Sequence, residues 1–341
     1  MRIKTCLPLM GIVMFAVAAC AGPAPEPEAS RVKRVEVAMA NDDAQEMIMV
    51  FTAVDKFEPL TGFEEKAKVL YGNEQVIGAL VSGEAWVGHD STSRLWAAMD
   101  EGSVDLVMVA IDKDGQASIL GTRPGITSVD DLVPGTTFGA GSIGDYDEVE
   151  LRKMMEAIGV DAEEMNIVAM DSADNRMRAM LAGQLDAGVQ QPRNIGPLED
   201  AGGAILFDEA FDVPQEVFVV LREFLESNRA DVCAFVTARI QSKQWAYEGS
   251  DHKENLAAGI EIGMANGIEA TEYELADWVR ELEGNHSLDL GATVEALDEF
   301  EEVLRTLGRL SEEFDWRNHA DFSCVWEAQE TLGLDQRPAD Y

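Results

Sequence analysis

"LVSGEAWVG" (Leu80 to Gly88) and "MLAGQLDAG" (Met180 to Gly188) align without a gap one hundred residues apart. In both, an amphipathic stretch stops at a glycine able to take positive φ. A short apolar run follows, and its own glycine lets other atoms approach the backbone closely. Each copy sits at the same point of its own strand and helix series, so the chain reads as two similar α/β lobes.

Upstream of the first copy, "RVEVAMA" (Arg34 to Ala40) reads as a strand, and Asn41 and Asp42 stand where the next helix needs a cap. In that helix Met47, Val50, Phe51, Val54 and Phe57 recur at spacings of three and four, a core-facing stripe. "KAKVLYG" (Lys66 to Gly72) is a second strand and "NEQVIGALVSG" (Asn73 to Gly83) a helix closed by glycine. A strand at Ala85 to Gly88, a helix from Asp90 to Met99 and a strand at Val104 to Ile111 complete the first series.

The second series runs through strands at Ala117 to Thr122, Thr136 to Gly141, Met165 to Met170, Leu185 to Gln190 and Ala204 to Phe207. Between them fall a short capped helix at Ser128 to Gly135 and longer helices at Gly144 to Gly159 and Ser172 to Gly183. "EVFVVL" (Glu216 to Leu221) then reads as a return strand, and helices follow at Arg229 to Tyr247, Asn255 to Asn266, Thr271 to Glu281, Leu290 to Leu307 and Asp321 to Leu332. The expected organisation is a first lobe over 34–118, a second over 119–215 and a return to the first over 216–341. Connections near 117–122 and 216–221 are expected to form a hinge, with the C-terminal helices covering the first lobe.

At the N-terminus, Arg2 and Lys4 precede an uncharged apolar run, Leu7 to Ala19, that is short for a membrane span and reads as a secretory signal over 1–19. With 46% hydrophobic and 26% charged residues the rest of the chain has the means to bury a core. Its 64 acidic against 26 basic residues give a net charge of −38, and no lysine or arginine stripe exists to displace counterions from phosphates, which excludes a nucleic-acid partner. The acidic residues are spread along the chain, as on a solvated surface suited to a salty medium. Cys233 and Cys324 are the cysteines left beyond Cys6 in the signal and Cys20 after it, and in an exported chain a single disulfide and two buried thiols are both open. No pair of histidines among His89, His252, His286 and His319 has metal-ligand spacing, so neither a metal nor a cofactor is expected. "GAGSIG" (Gly139 to Gly144) fits GxGxxG, but the two-lobe pattern accounts for the same glycines as a ligand loop.

Four segments carry a resemblance: "ALVSGEAWVGHDSTSRLWAAMDEG" from Ala79, "ILGTRPGITSVDDLVPGTTFGAGSIGDYDEVELRKMMEAIG" from Ile119, "MRAMLAGQLDAGVQQP" from Met177 and "FDWRNHADFSCVWEAQETLGL" from Phe314. In this order, over Val35 to Leu334, the chain resembles the substrate-binding proteins of nitrate/sulfonate/taurine-type and thiamine-pyrimidine-type ABC importers. The resemblance implies a type II periplasmic-binding-protein fold, a small-molecule ligand held between lobes, an ABC permease as partner and no enzyme activity. Val17-Ala18-Ala19-Cys20 is similar to a lipobox, which implies lipidation of Cys20, a proline-rich tether over 20–33 and a monomer on the outer side of the cell membrane. A sensor or adaptor without a permease is the alternative, followed by a synthase-like enzyme, although the iron-site cysteines of such synthases have no counterpart here.

Ligands of open α/β sheets gather at the carboxyl ends of strands. Those ends supply Asn41, Asp42, Asp90 and Ser91 in the first lobe, and Ser142, Ile143, Tyr146, Gln190 and Gln191 in the second. Asp90 and Gln190 hold matching positions of the internal repeat and are expected to face each other across the cleft. Asp42, Asp90 and Asp145 also suit plain helix caps, Trp86 suits the core, and Arg123 and Arg193 suit surface ion pairs. Carboxylates close to the serine and threonine hydroxyls disfavour a doubly charged anion and favour a neutral or cationic organic ligand.

Overall fold

The computed structural model describes residues 34–39, 44–57, 60, 64–69, 73–116, 118–141, 143, 146–170, 172–191, 194–209, 211–248, 250–267 and 287–339. The signal, Cys20 and its tether, Asn41, Asp42, Ser142, Asp145, Arg193 and the helix expected at 271–281 lie outside the described residues.

Among the described residues ten strands form two five-stranded sheets. The first contains β1 (Arg34–Met39), β2 (Glu64–Val69), β3 (Val87–Ser91), β4 (Leu106–Gln116) and β10 (Phe211–Leu221) in the order β2-β1-β3-β10-β4. The second contains β5 (Ile119–Thr122), β6 (Thr137–Ala140), β7 (Asn166–Ala169), β8 (Ala187–Gln190) and β9 (Ile205–Phe207) in the order β7-β6-β8-β5-β9. Both orders place one antiparallel strand fourth: β10 runs against β3 and β4, and β5 against β8 and β9. The chain passes between the sheets twice, from β4 to β5 and from β9 to β10.

The internal repeat is carried by matching hydrogen bonds. Helix α2 (Asn73–Ser82) and helix α5 (Ala173–Leu181) end at Gly83 and Gly183, each with φ of +71°. The N–H groups of Glu84 and Ala85 donate to Ala79 O at 2.9 and 3.1 Å, and those of Gln184 and Leu185 to Ala179 O at 2.8 and 3.3 Å. Trp86 N then reaches Glu36 O, and Asp186 N reaches Thr137 O, both at 3.0 Å. A Cβ on Gly188 would lie 2.8 Å from Gly139 O, and one on Gly88 would lie 2.9 Å from Val76, so both strand glycines answer to close packing.

Helix α1 (Ala44–Lys56) packs Val50 and Ala53 toward the first sheet and Ile48 and Met49 against α7 (Arg222–Tyr247) and α8 (His252–Ala265). Trp96 on α3 (Thr92–Glu101) is fully buried against Phe300 of α9 (Val294–Thr306) and Phe314. Rings of this size remove about 150–250 Å² each from water, about 4–6 kcal/mol of transfer free energy as an upper bound. Helix α4 (Tyr146–Ala157) lays Leu151, Met154 and Met155 on one face of the second sheet, while α5 and α6 (Ile195–Asp200) cover the other with Met180 and Leu198. Helix α10 (Ser323–Leu332) is joined to α7 by a disulfide between Cys233 and Cys324, which closes the question left open by the cysteine count.

Three expectations are corrected by the structure. β4 runs on to Gln116 and β10 begins at Phe211, because the two strands pair along their length and carry polar residues that sequence pattern assigns to loops. Helix α7 starts at Arg222, seven residues earlier than expected, and Asn228 breaks its regularity with φ −132° and ψ 29°. Ser128 to Gly135 contains only a 3-10 turn at Val129–Asp131, closed by a reciprocal cap between Ser128 and Asp131.

Candidate functional site

The two passages between the sheets bring the carboxyl end of β3 and the N-terminus of α4 to one charged junction. β3 ends in His89, Asp90 and Ser91, on the strand whose Gly88 admits Val76 and Leu80. Asp90 is 2% exposed: its Oδ1 accepts Ser91 N–H at 2.7 Å and lies 3.5 Å from Arg94 Nη1, while its Oδ2 has no hydrogen-bond partner. Burial pushes its carboxyl up to about 6, with the negative charge of Glu216 adding to the effect and Ser91, Arg94 and His89 opposing it. The residue flanking α3 is Ser91, whose hydroxyl pairs with that of Ser93 at 2.7 Å, so Asp90 is not the helix cap.

Behind Asp90 lies a buried ion network that sequence reasoning missed. Asp112 on β4 receives His89 Nε2 at 3.0 Å, Arg239 Nη2 at 2.8 Å and Lys243 Nζ at 2.8 Å. The Lys243 ammonium also bonds the Asp112 carbonyl. Lys113 pairs with Glu216 of β10 at 2.8 Å, and Glu216 stands in register with both Ser91 and Lys113. The available signal was charge at core-facing positions: Arg239 and Lys243 fall on the helical stripe of Phe235, Val236, Ile240 and Ala246. Charges so deeply buried are tolerated only when paired.

On the other side, Gly141 follows β6 and leaves room that any Cβ would contest with the Asp147 carboxylate. Asp147 lies 3.8 Å from Arg176, whose guanidinium also donates to Val189 O at 2.8 Å and Met170 O at 2.9 Å, drawing the ends of β7 and β8 together. Tyr146 opens α4, is buried against the core of the first sheet, and donates its hydroxyl to Glu150 Oε1 at 3.3 Å. Burial first, then Asp147, holds the Glu150 carboxyl well above the usual range. The fully buried Ser118 hydroxyl lies beside Glu150 and opposes that rise without closing a hydrogen bond of good geometry. Burial, Glu150 and Asp147 raise the Tyr146 hydroxyl, and Glu216 adds to them, so one carboxylate acts on both Asp90 and Tyr146.

Gln190 ends β8 fully buried, with its amide oxygen accepting Asn194 Nδ2 at 2.8 Å and its Nε2 unpartnered. Gln191 is half-buried, and its carbonyl accepts Asn194 N–H. Ile143 is exposed, and its carbonyl accepts Arg309, which with the Lys153–Glu299 pair at 2.6 Å ties the α4 side to the C-terminal helices. Trp86 belongs to the core, stacked on Phe224 with ring centroids 5.2 Å apart, and Arg123 pairs with Asp186 at 2.8 Å. Among the described residues no group of three or more His, Cys, Asp or Glu is placed to hold a metal ion. No helix among them is long and apolar enough to cross a membrane.

A family model described as NMT1/THI5 like matches residues 68–252, just over half of the chain. A comparison with curated proteins finds no match. Among solved structures, the periplasmic sulfonate-binding protein SsuA of a sulfonate ABC transporter from Methylobacillus flagellatus KT superimposes with TM-score 0.67 at 17% identity, over 91% of this chain and 98% of that one. The ligand-binding component of an ABC-type import system from Staphylococcus aureus, with zinc bound, gives TM-score 0.64 at 12% identity, over 87% and 99%. A structure named as the desulfurization enzyme DSZB gives 0.57 at 14%, over 88% and 99%. At these identities the likeness is one of fold.

Proposed function

The chain belongs to the NMT1/THI5-like family, and from that premise we propose that it is the solute-binding protein of an ABC importer. In this reading it is exported and lipidated on Cys20, stands off the membrane on the segment 20–33, and acts as a monomer. A small organic molecule enters between the sheets and is held by Asn41, Asp42, Asp90 and Ser91 from one side and Ser142, Ile143, Tyr146, Gln190 and Gln191 from the other. The observation that carries the reading is the junction itself: Asp90 at the end of β3 and Tyr146 at the start of α4 are both buried within reach of the charge of Glu216, beside the passages of chain between the sheets seen among the described residues. Ligand contacting both halves stabilises the arrangement in which they are close, and a permease reads that arrangement.

The test is a thermal-shift screen of small organic solutes in about 1 M salt, followed by small-angle scattering with any ligand found. A tight ligand raises the melting temperature by mass action, and a fall in radius of gyration on binding accompanies closure. Binding without compaction removes the closure mechanism. The fold match to a desulfurization enzyme motivates one second reading, catalysis at the same junction; recovery of the bound solute chemically unchanged after long incubation rejects it.

A further inference from the structure

The buried oxygen atoms at the junction without a hydrogen bond of good geometry include Asp90 Oδ2 at the end of β3, and Ser118 Oγ in the passage to β5 beside Glu150 Oε2 on α4. None of the three residues is more than 2% exposed. A buried acceptor left unmade is costly, and two of these three groups are carboxyl oxygens. The cations nearby are already engaged: Lys113 with Glu216, Arg239 and Lys243 with Asp112, and Arg176 with Asp147 and two carbonyls. An anion placed here meets carboxyl oxygens, whereas a cation bearing N–H groups meets Asp90 Oδ2, which has no donor, and Glu150 Oε2, which has only the Ser118 hydroxyl beside it.

We infer that the solute is an organic cation of the amine, amidine or guanidine class, with N–H groups donated to Asp90 Oδ2 from the first sheet and Glu150 Oε2 from the second. The inference rests on the solute-binding reading above and names its ligand class. Groups facing Asp90 are Ser91 N–H, Arg94, His89 and Glu216; those facing Glu150 are Tyr146, Asp147, Arg176 and Ser118. A cation favours the ionised carboxylates, so its binding at pH 6 expels protons from Asp90 and Glu150, while binding of an anion takes protons up.

Isothermal titration calorimetry at pH 6 and 7.5, in buffers of different ionisation enthalpy, tests the inference with agmatine, benzamidine and benzylamine against ethanesulfonate and nitrate. The expected result is binding of at least one cation with proton release at pH 6, weakened at least about tenfold in both Asp90→Asn and Glu150→Gln. Glu150→Gln keeps the side chain's shape, so the test survives if either variant folds poorly. Binding of ethanesulfonate or nitrate with proton uptake, undiminished in Asp90→Asn, overturns the cation class and leaves the solute-binding reading standing. Silence from all three cations, with cooperative melting retained, also overturns the class; the thermal-shift and scattering experiment then decides the broader reading separately.

Discussion

Asp90 is held ionised at neutral pH in a place that burial makes unfavourable for charge. Its carboxyl is pushed from 3.8 to about 6, so the folded state binds its proton more tightly than the unfolded chain. The resulting cost is fully present above pH 6 and is relieved as pH falls through 6 toward 3.8. Asp90→Asn removes that cost and leaves an amide oxygen for Ser91 N–H, so the ligand-free variant is expected to be more stable at pH 7.5 by about 2–3 kcal/mol, at 1.36 kcal/mol for each pH unit. The advantage shrinks toward zero near pH 4. Calorimetric melting at the two pH values checks this; equal melting temperatures at pH 7.5 would mean that Asp90 is not buried as described. Stability gained on removing a buried carboxylate is what a residue kept for binding predicts.

At the scale of elements, the helix-glycine-strand unit occurs twice with the same backbone geometry. Gly83 and Gly183 share φ of +71°, and a Cβ at either meets nothing within 4 Å, so each substitution reports backbone strain alone. Gly83→Ala and Gly183→Ala are therefore expected to cost similar amounts, about 1–2 kcal/mol each, by urea unfolding. A large difference between them would show that the two caps are not equivalent. β4 and β10 illustrate the opposite situation, in which pairing outweighs local preference. Asp112, Lys113 and Glu216 lie in strands because each strand satisfies the other's backbone and because Arg239 and Lys243 neutralise Asp112. Isolated, the segment Asp112 to Gln116 reads as a polar loop.

For the whole molecule, the Cys233–Cys324 bond links α7 to α10 across a separation of 91 residues. In the chain-entropy account a loop of that length contributes about 4.6 kcal/mol by restricting the unfolded chain. Reduction, or the double substitution Cys233→Ser/Cys324→Ser, is expected to lower the unfolding free energy toward that extent while leaving ligand affinity within about twofold, since the bond joins two helices that supply no candidate site residue. Denaturant unfolding with and without reductant, paired with ligand titration, measures both quantities. A loss of affinity without loss of stability would mean that the C-terminal helices take part in the site.

Read from one end to the other, the chain determined by itself its α/β class, its two similar halves and the strand ends at which polar residues collect. Those features depend on periodicity, glycine stops and caps within about ten residues of one another, and such local preferences are written directly in residue order. Tertiary structure alone decided the junction. Asp112 meets Arg239 and Lys243 more than a hundred positions away, Tyr146 of the second half packs into the core of the first, and Ser118 and Glu150 are fully buried in the folded chain. Burial and charge pairing are properties of that assembly: whether a carboxylate is a solvated surface group or a buried acceptor depends on neighbours brought up by distant segments. In a chain with 64 acidic residues, order along the sequence does not distinguish the few that folding encloses.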